Sequence, residues 1–169
     1  MNLEIDIEAP WPGETDWQDI AEQVVNAVSK VAPELANERL LASLLFTGDA
    51  AVHALNRQWR AKDKPTNVLS FPMLERDDLL TLGTDGPPEL LGDIALAYET
   101  CAREAAQKRV PVASHAAHLI AHGLLHLAGH DHEISDEAAD TMEQLEIKAL
   151  ALIGIADPYE RSDQPCGGE

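Results

Sequence analysis

The chain has 169 residues, 45% of them hydrophobic and 25% charged, and its formal net charge is −18. This length and composition indicate one globular domain, exclude a largely disordered chain, and leave no apolar run near the roughly 20 residues that span a bilayer. The charge disfavours general nucleic-acid binding, which relies on lysine and arginine, although Arg57, Arg60, Lys62 and Lys64 form one basic stretch.

The first part of the chain alternates predicted strands and helices. Leu3 to Ala9 alternates apolar and acidic residues, as a half-buried strand does. Apolar residues at helical spacing from Trp17 to Val31, after the capping residue Asp16, predict the first helix. Leu40 to Phe46 is predicted as a strand, and Asp49 can begin a second helix that carries Val52, Leu55 and Trp59.

The second part of the chain is predicted to be mainly helical. A third strand runs from Asn67 to Met73, and Pro72 confines it to the edge or the end of a sheet. The acidic residues 74–90 are predicted as a loop or hairpin, and Leu91 to Tyr98 as a fourth strand. Three helices follow, over Glu99 to Arg109, from Pro111 to about Ala128, and from Ser135 and Asp136 onward.

This order of elements predicts an α/β (α+β) fold. We expect a mixed sheet of about four strands packed with about five helices, one of which is rich in histidine and carries a metal site. Residues 1–156 are predicted to form a single domain. The polar residues 157–169, which include proline and glycine, are predicted to be a disordered tail.

Six of the seven histidines lie between His115 and His132, and three of these have the spacing of metal ligands. His122 and His126 are four residues apart, so on a helix both imidazoles lie on one face and can bind one ion. Gly129 can end that helix and turn the chain back, which makes His132 the natural third ligand. Three histidines leave a fourth tetrahedral position for water, as in catalytic zinc sites, so the domain of residues 1–156 is predicted to be a metallohydrolase.

The same spacing occurs in metzincin proteases, with one difference. Those proteases carry a glutamate general base directly after the first histidine, where this chain has Gly123, so a peptidase is disfavoured. Two other residues are candidates for catalysis. His118, one turn before His122, is predicted to bond a ligand or a backbone carbonyl, and Asp131 to orient an imidazole or take a proton.

Three segments of the chain resemble the YbeY family of bacterial rRNA maturation endoribonucleases. They are HGLLHLAGHDH at 122–132, LNRQWRAKDKPTNVLSFP at 55–72 and LGDIALA at 91–97. The resemblance implies one zinc ion on His122, His126 and His132, and an arginine important for activity at Arg60. It also implies cleavage of single-stranded RNA, maturation of the 3′ end of 16S rRNA, and association with the ribosome.

The residues suit that chemistry. A zinc-activated water can attack a phosphodiester, and the guanidinium of Arg60 can stabilise the charge that gathers on its oxygens. Trp59, beside Arg60, can stack on a base or pack in the core. Nickel or another divalent ion could replace zinc in a preparation.

The expected partners are single-stranded or precursor rRNA and, because the surface is acidic, small-subunit ribosomal proteins or an assembly GTPase. Neither DNA nor a membrane is expected. The N-terminus lacks a signal-peptide pattern, and the two cysteines do not indicate a disulfide framework, so a cytoplasmic location is expected. Two alternatives stay open: a ribosome-assembly binding factor with a structural metal, and a metallohydrolase acting on another substrate class.

Overall fold

The computed structural model describes residues 1–60, 66–130 and 135–159, except for the side chain of Arg60. Within these residues the strands are β1 (Asn2–Ile7), β2 (Leu40–Thr47), β3 (Val68–Pro72) and β4 (Glu89–Ala97). The helices are α1 (Trp17–Val31), α2 (Asp49–Arg60), α3 (Arg76–Thr81), α4 (Tyr98–Lys108), α5 (Val112–Leu127) and α6 (Asp136–Leu152), with a short 3-10 helix at Pro33–Leu35.

The strands form one mixed sheet in the order β1-β2-β4-β3. The first three of these are parallel, and β3 pairs antiparallel with β4 at the edge, as Pro72 indicated. The predicted mixed four-stranded fold is therefore confirmed in the described residues. None of their helices is long and apolar enough to cross a membrane.

The prediction of a loop or hairpin over residues 74–90 is wrong in part. Residues Arg76–Thr81 form α3, and β4 already begins at Glu89. Asp77 and Asp78 lie in the first turn of α3, where negative charge is favourable, and Leu79 is buried in the main core. With only one buried apolar residue, so short a helix shows no apolar periodicity from which it could be predicted.

The sheet has an inner and an outer face. The inner face carries alternate residues such as Leu44 and Ile94, and packs against α1 and α5 in the main core. The outer face carries a smaller apolar cluster in which Val52 of α2 meets Leu69 and Ala95. Helix α2 covers only part of this face, so part of it borders an open cavity.

Two helices begin side by side at the end of the sheet. The backbone and hydroxyl groups of Thr100 donate hydrogen bonds to the carboxylate of Asp49 at 3.0 and 2.9 Å. In return, the Glu99 carboxylate accepts from the backbone N–H of Asp49 at 2.9 Å. This exchange satisfies otherwise unpaired N–H groups and anchors the start of α2, whose last residue is Arg60.

Candidate metal centre

Helix α5 carries a row of four histidines on one side. His115, His118, His122 and His126 are spaced by three or four residues, which places them along a single helix face. The helix lies between the sheet and its neighbouring helices, and most of its residues are buried. Its histidines therefore find partners on several packed elements rather than only in water.

His122 is held by a buried carboxylate that the sequence analysis did not single out. Glu146 on α6 is fully buried, and its Oε2 lies 2.8 Å from Nδ1 of His122. Its other oxygen, Oε1, lies 2.8 Å from Nε2 of His118 and accepts the hydroxyl of Tyr159 at 2.6 Å. His118 thus reaches His122 through Glu146, and a part of the predicted tail reaches the same carboxylate.

The Glu146 carboxylate is strongly stabilised in its ionised form. Burial on its own would raise the pKa of Glu146, but the hydrogen bonds from His118, His122 and Tyr159 outweigh burial and lower that pKa to about 2. An ionised carboxylate only accepts hydrogen bonds, so Nδ1 of His122 is the protonated nitrogen. A metal would then be bound through Nε2 of this ring.

His126 is held in the same way from the sheet. Its Nδ1 lies 2.5 Å from Oγ of Ser70, an inner-face residue of β3. This contact occupies Nδ1 and leaves Nε2 as the ring nitrogen that can face a metal. Two imidazoles four residues apart, each with Nδ1 bonded to an oxygen, fit the arrangement in which histidines bind zinc and similar divalent ions.

Helix α5 ends at the turn that the sequence predicts. Gly129 has a φ of +97°, and its N–H donates to the carbonyl of His126 while that of His130 donates to the carbonyl of Leu125. These paired bonds form a Schellman motif. Arg76 braces the turn, since its Nη1 donates to the Ala128 carbonyl at 2.6 Å and to Glu34 at 3.1 Å.

The turn leads to Asp131 and His132, both of which lie outside the described residues. Arg60 is the last residue of α2, and its side chain is likewise outside them. Across the ranges that are described, no group of three or more histidine, cysteine, aspartate or glutamate side chains forms a metal site. The structure thus brings His118, His122 and His126 together, while the predicted third ligand stays a prediction.

An open groove of about 630 Å³ lies beside His126. Its lining includes Met73 and Arg76 from the segment after β3, and Gly129 and His130 from the turn. Nε2 of His130 lies 3.9 Å from the Glu34 carboxylate, and burial lowers the pKa of the imidazole. The groove therefore opens at the His126 end of the histidine row.

Gly123 is the position where metzincins carry their glutamate, and here it packs against the sheet. A Cβ at this position would lie 3.1 Å from Cδ1 of Ile94 on β4. The close approach of α5 to the sheet therefore favours glycine, and a side chain at this position would require the Ile94 side chain to shift. The packing agrees with a site that lacks the metzincin base.

The partners of the histidines were missed because they lie far away in sequence. Glu146 did leave a signal, since it occupies the same helical stripe as the buried residues Met142, Ala149 and Leu150. A charged residue at such a position is rarely buried without a partner. Ser70 alternates with Phe71 in β3 and left no comparable signal.

Comparison with known proteins identifies relatives along nearly the whole chain. The family model for Endoribonuclease YbeY matches residues 6–154. The chain is 59% identical over 162 residues to the Endoribonuclease YbeY of Novosphingobium aromaticivorans, covering 95% of this chain and 97% of that protein. It is 62% identical over 159 residues to the Endoribonuclease YbeY of Erythrobacter litoralis, covering 94% and 98% respectively.

The fold is also similar to a solved structure. The solution structure of TM1509 from Thermotoga maritima matches with a TM-score of 0.55 at 21% identity, over 94% of this chain and 99% of that one. At this identity the match bears on the fold alone, and it agrees with the mixed sheet described above. The family model and the similar curated relatives confirm the family that the three segments indicated: the chain belongs to the YbeY endoribonuclease family.

Proposed function

We propose that this protein is a zinc-dependent endoribonuclease that cleaves single-stranded RNA during maturation of the 3′ end of 16S rRNA. The family assignment supports RNA cleavage, and the geometry of the histidine row supports the metal. Small-subunit ribosomal proteins or an assembly GTPase would be its protein partners, and the cytoplasm its location. These finer assignments extend the family resemblance.

The pair of Nδ1 contacts carries the proposal. Glu146 and Ser70 hold His122 and His126 so that both rings would bind a metal through Nε2, with His132 as the third ligand. A zinc ion bound there would supply Lewis-acid chemistry, activating a water molecule and stabilising negative charge on phosphate oxygens.

The remaining residues have distinct roles in this proposal. Arg60 would contact the scissile phosphate through its guanidinium, which can donate two hydrogen bonds to phosphate oxygens. His118 is assigned a positioning role, because it contacts Glu146 and only through Glu146 affects His122. Asp131 would orient an imidazole or take a proton, next to the ligand His132.

The test compares wild-type protein with His126→Ala on labelled precursor rRNA that has an unprocessed 3′ end. We expect the variant to lose both about one equivalent of zinc and RNA cleavage. His115→Gln is the matched control, because His115 is on the same helix but bonds Glu104 of α4. Equal cleavage by wild type and His126→Ala would contradict the proposal and indicate a contaminating nuclease.

Arg60→Ala separates the ribonuclease from a binding factor. A ribonuclease should lose cleavage with this variant and keep its zinc. An assembly factor with a structural metal should keep its ribosomal partners and show no cleavage in either form. A parallel peptide-cleavage screen of the wild type tests the other hydrolase class, and we expect no activity in that screen.

A further inference from the structure

A second cavity lies on the outer face of the sheet, under the C-terminal half of α2. Its volume is about 490 Å³. The lining is mostly apolar but includes two carboxylates, and its residues include Leu55, Trp59, Phe71, Met73, Asp6 and Asp93. None of them belongs to the histidine row or to its partners.

Trp59 is a large aromatic residue that lines this cavity and is exposed to solvent. Its side chain is 66% exposed, whereas Trp11 and Trp17 are buried in the main core. Trp59 therefore does not pack in the core, which was one of its two predicted roles. An indole held at the open mouth of an apolar cavity offers a flat surface on which a nucleobase can stack.

Met73 connects this cavity to the groove beside His126. Its side chain is 60% exposed and lines both spaces. The two faces of β3 border different spaces. Ser70 points inward to His126, which lines the groove, and Phe71 points outward into the cavity. A single strand of RNA crossing the β3 edge at Met73 would thus reach both sides.

The charges select which part of a nucleotide would enter. Phe71 on β3 pairs directly with Asp93 on β4, so an aromatic ring and a carboxylate are neighbours on the outer face. Asp6 adds a second carboxylate to the lining. Carboxylates repel phosphate, but they accept hydrogen bonds from the amino groups of bases, as in aspartate or glutamate contacts to cytosine N4.

We propose that this cavity binds one unpaired nucleobase of the RNA substrate, stacked on Trp59 and read by Asp93, while the RNA backbone crosses Met73 toward the histidine row. The proposal rests on the proposed ribonuclease function and adds a base subsite to it. Because uracil has no amino group, the subsite favours cytosine and adenine over uracil.

The experiment measures the binding of fluorescently labelled hexanucleotides of C, A or U to the zinc-loaded protein by anisotropy, with a gel to confirm that the RNA is intact. Trp59→Ala is expected to weaken binding of C and A hexamers about tenfold. Asp93→Asn is expected to reduce the preference for C over U. Leu152→Ala is the control, since Leu152 is exposed on α6 and outside the cavity.

A second readout uses the intrinsic tryptophan fluorescence of the protein to locate the contact with RNA. Because the other two tryptophans are buried, quenching of the intrinsic fluorescence by the C hexamer should disappear in Trp59→Phe while anisotropy still reports binding. Phenylalanine keeps a ring for stacking, so the affinity of this variant should exceed that of Trp59→Ala. Quenching that persists in Trp59→Phe would contradict the proposal.

The outcomes separate this inference from the proposed function. If Trp59→Ala and Asp93→Asn both keep the wild-type affinity and base preference, the base subsite is overturned, even if precursor rRNA is cleaved. The outer-face cavity would then be assigned to binding of a protein partner. The expected binding pattern without any RNA cleavage would support the subsite and contradict the ribonuclease. Absence of hexamer binding by the wild type would also overturn the subsite.

Discussion

Glu146 on α6 and His122 on α5 lie 24 residues apart in sequence and are joined by a hydrogen bond of 2.8 Å. The carboxylate lies in the interior, with no exposed surface, and its second oxygen serves His118 and Tyr159. One buried charge therefore orients one predicted metal ligand and is itself held by two neighbours. Removing this charge should therefore weaken metal binding more directly than substrate binding.

Glu146→Gln is expected to lower zinc affinity by about 10- to 100-fold, because an amide is a weaker acceptor for Nδ1 of His122. The measurement is a competition titration against a chromophoric zinc chelator. Asp140→Asn is the matched control, since it removes a negative charge from the exposed side of the same helix. Equal zinc affinities for the two variants would contradict the role of Glu146.

Ser70→Ala removes the oxygen beside Nδ1 of His126 and should weaken zinc binding about tenfold. Ser70→Thr keeps a hydroxyl on the same strand and should restore most of the affinity. The same chelator competition measures both variants. A threonine variant as weak as the alanine variant would indicate that packing, and not the hydroxyl, is what matters at this position.

Gly129→Ala should destabilise the fold by roughly 1–3 kcal/mol, because the residue has a positive φ and the new Cβ would lie 2.7 Å from Cβ of Arg76. Gly154→Ala is the control for backbone strain alone, since its φ is +79° but nothing lies within 4 Å of its Cβ position. Urea unfolding should show a larger loss for Gly129→Ala. Similar losses would mean that the contact with Arg76 costs nothing.

The free energy of unfolding should fall as the pH drops below about 6.5, in part because of His115. Burial lowers the pKa of His115 from its ordinary value of 6.5, although the hydrogen bond to Glu104 at 2.7 Å opposes the change. Below that value the unfolded chain binds more protons than the fold does, so acid favours unfolding. His115→Gln should therefore lose less stability than wild type between about pH 7.5 and pH 5.5.

This pH comparison is made by urea unfolding in the presence of EDTA, so that metal release does not contribute. Asn67, which also donates to Glu104 at 2.9 Å, stays in place in both proteins. Parallel pH profiles for wild type and His115→Gln would show that another group is responsible for the acid sensitivity.

Local signals predicted most of the fold. Helix α1 has the predicted bounds because its apolar spacing and its Asp16 cap, which accepts from the N–H of Asp19, both lie within the segment. The turn at Gly129 was predictable for the same reason. Helix α3 was missed because its stability depends on Leu79 reaching a core assembled from distant residues.

The candidate site divides in a similar way. The spacing of His122 and His126 is visible in sequence, since a helix alone brings them together. Their partners are not visible, because Glu146 and Ser70 meet α5 only after α6 and the sheet have packed around it. Asp131, His132 and the side chain of Arg60 lie outside the described residues, so their roles stay predictions.

The histidine row on α5 has a consequence for folding cooperativity. Its imidazoles are bonded to α4 through Glu104, to α6 through Glu146 and to β3 through Ser70. A partly folded chain that lacks any of these elements would leave polar groups of a buried helix without partners. Helix α5 should therefore exchange its amide hydrogens only through global unfolding, and a nascent chain should not capture metal in its native geometry before α6 has been synthesised and docked.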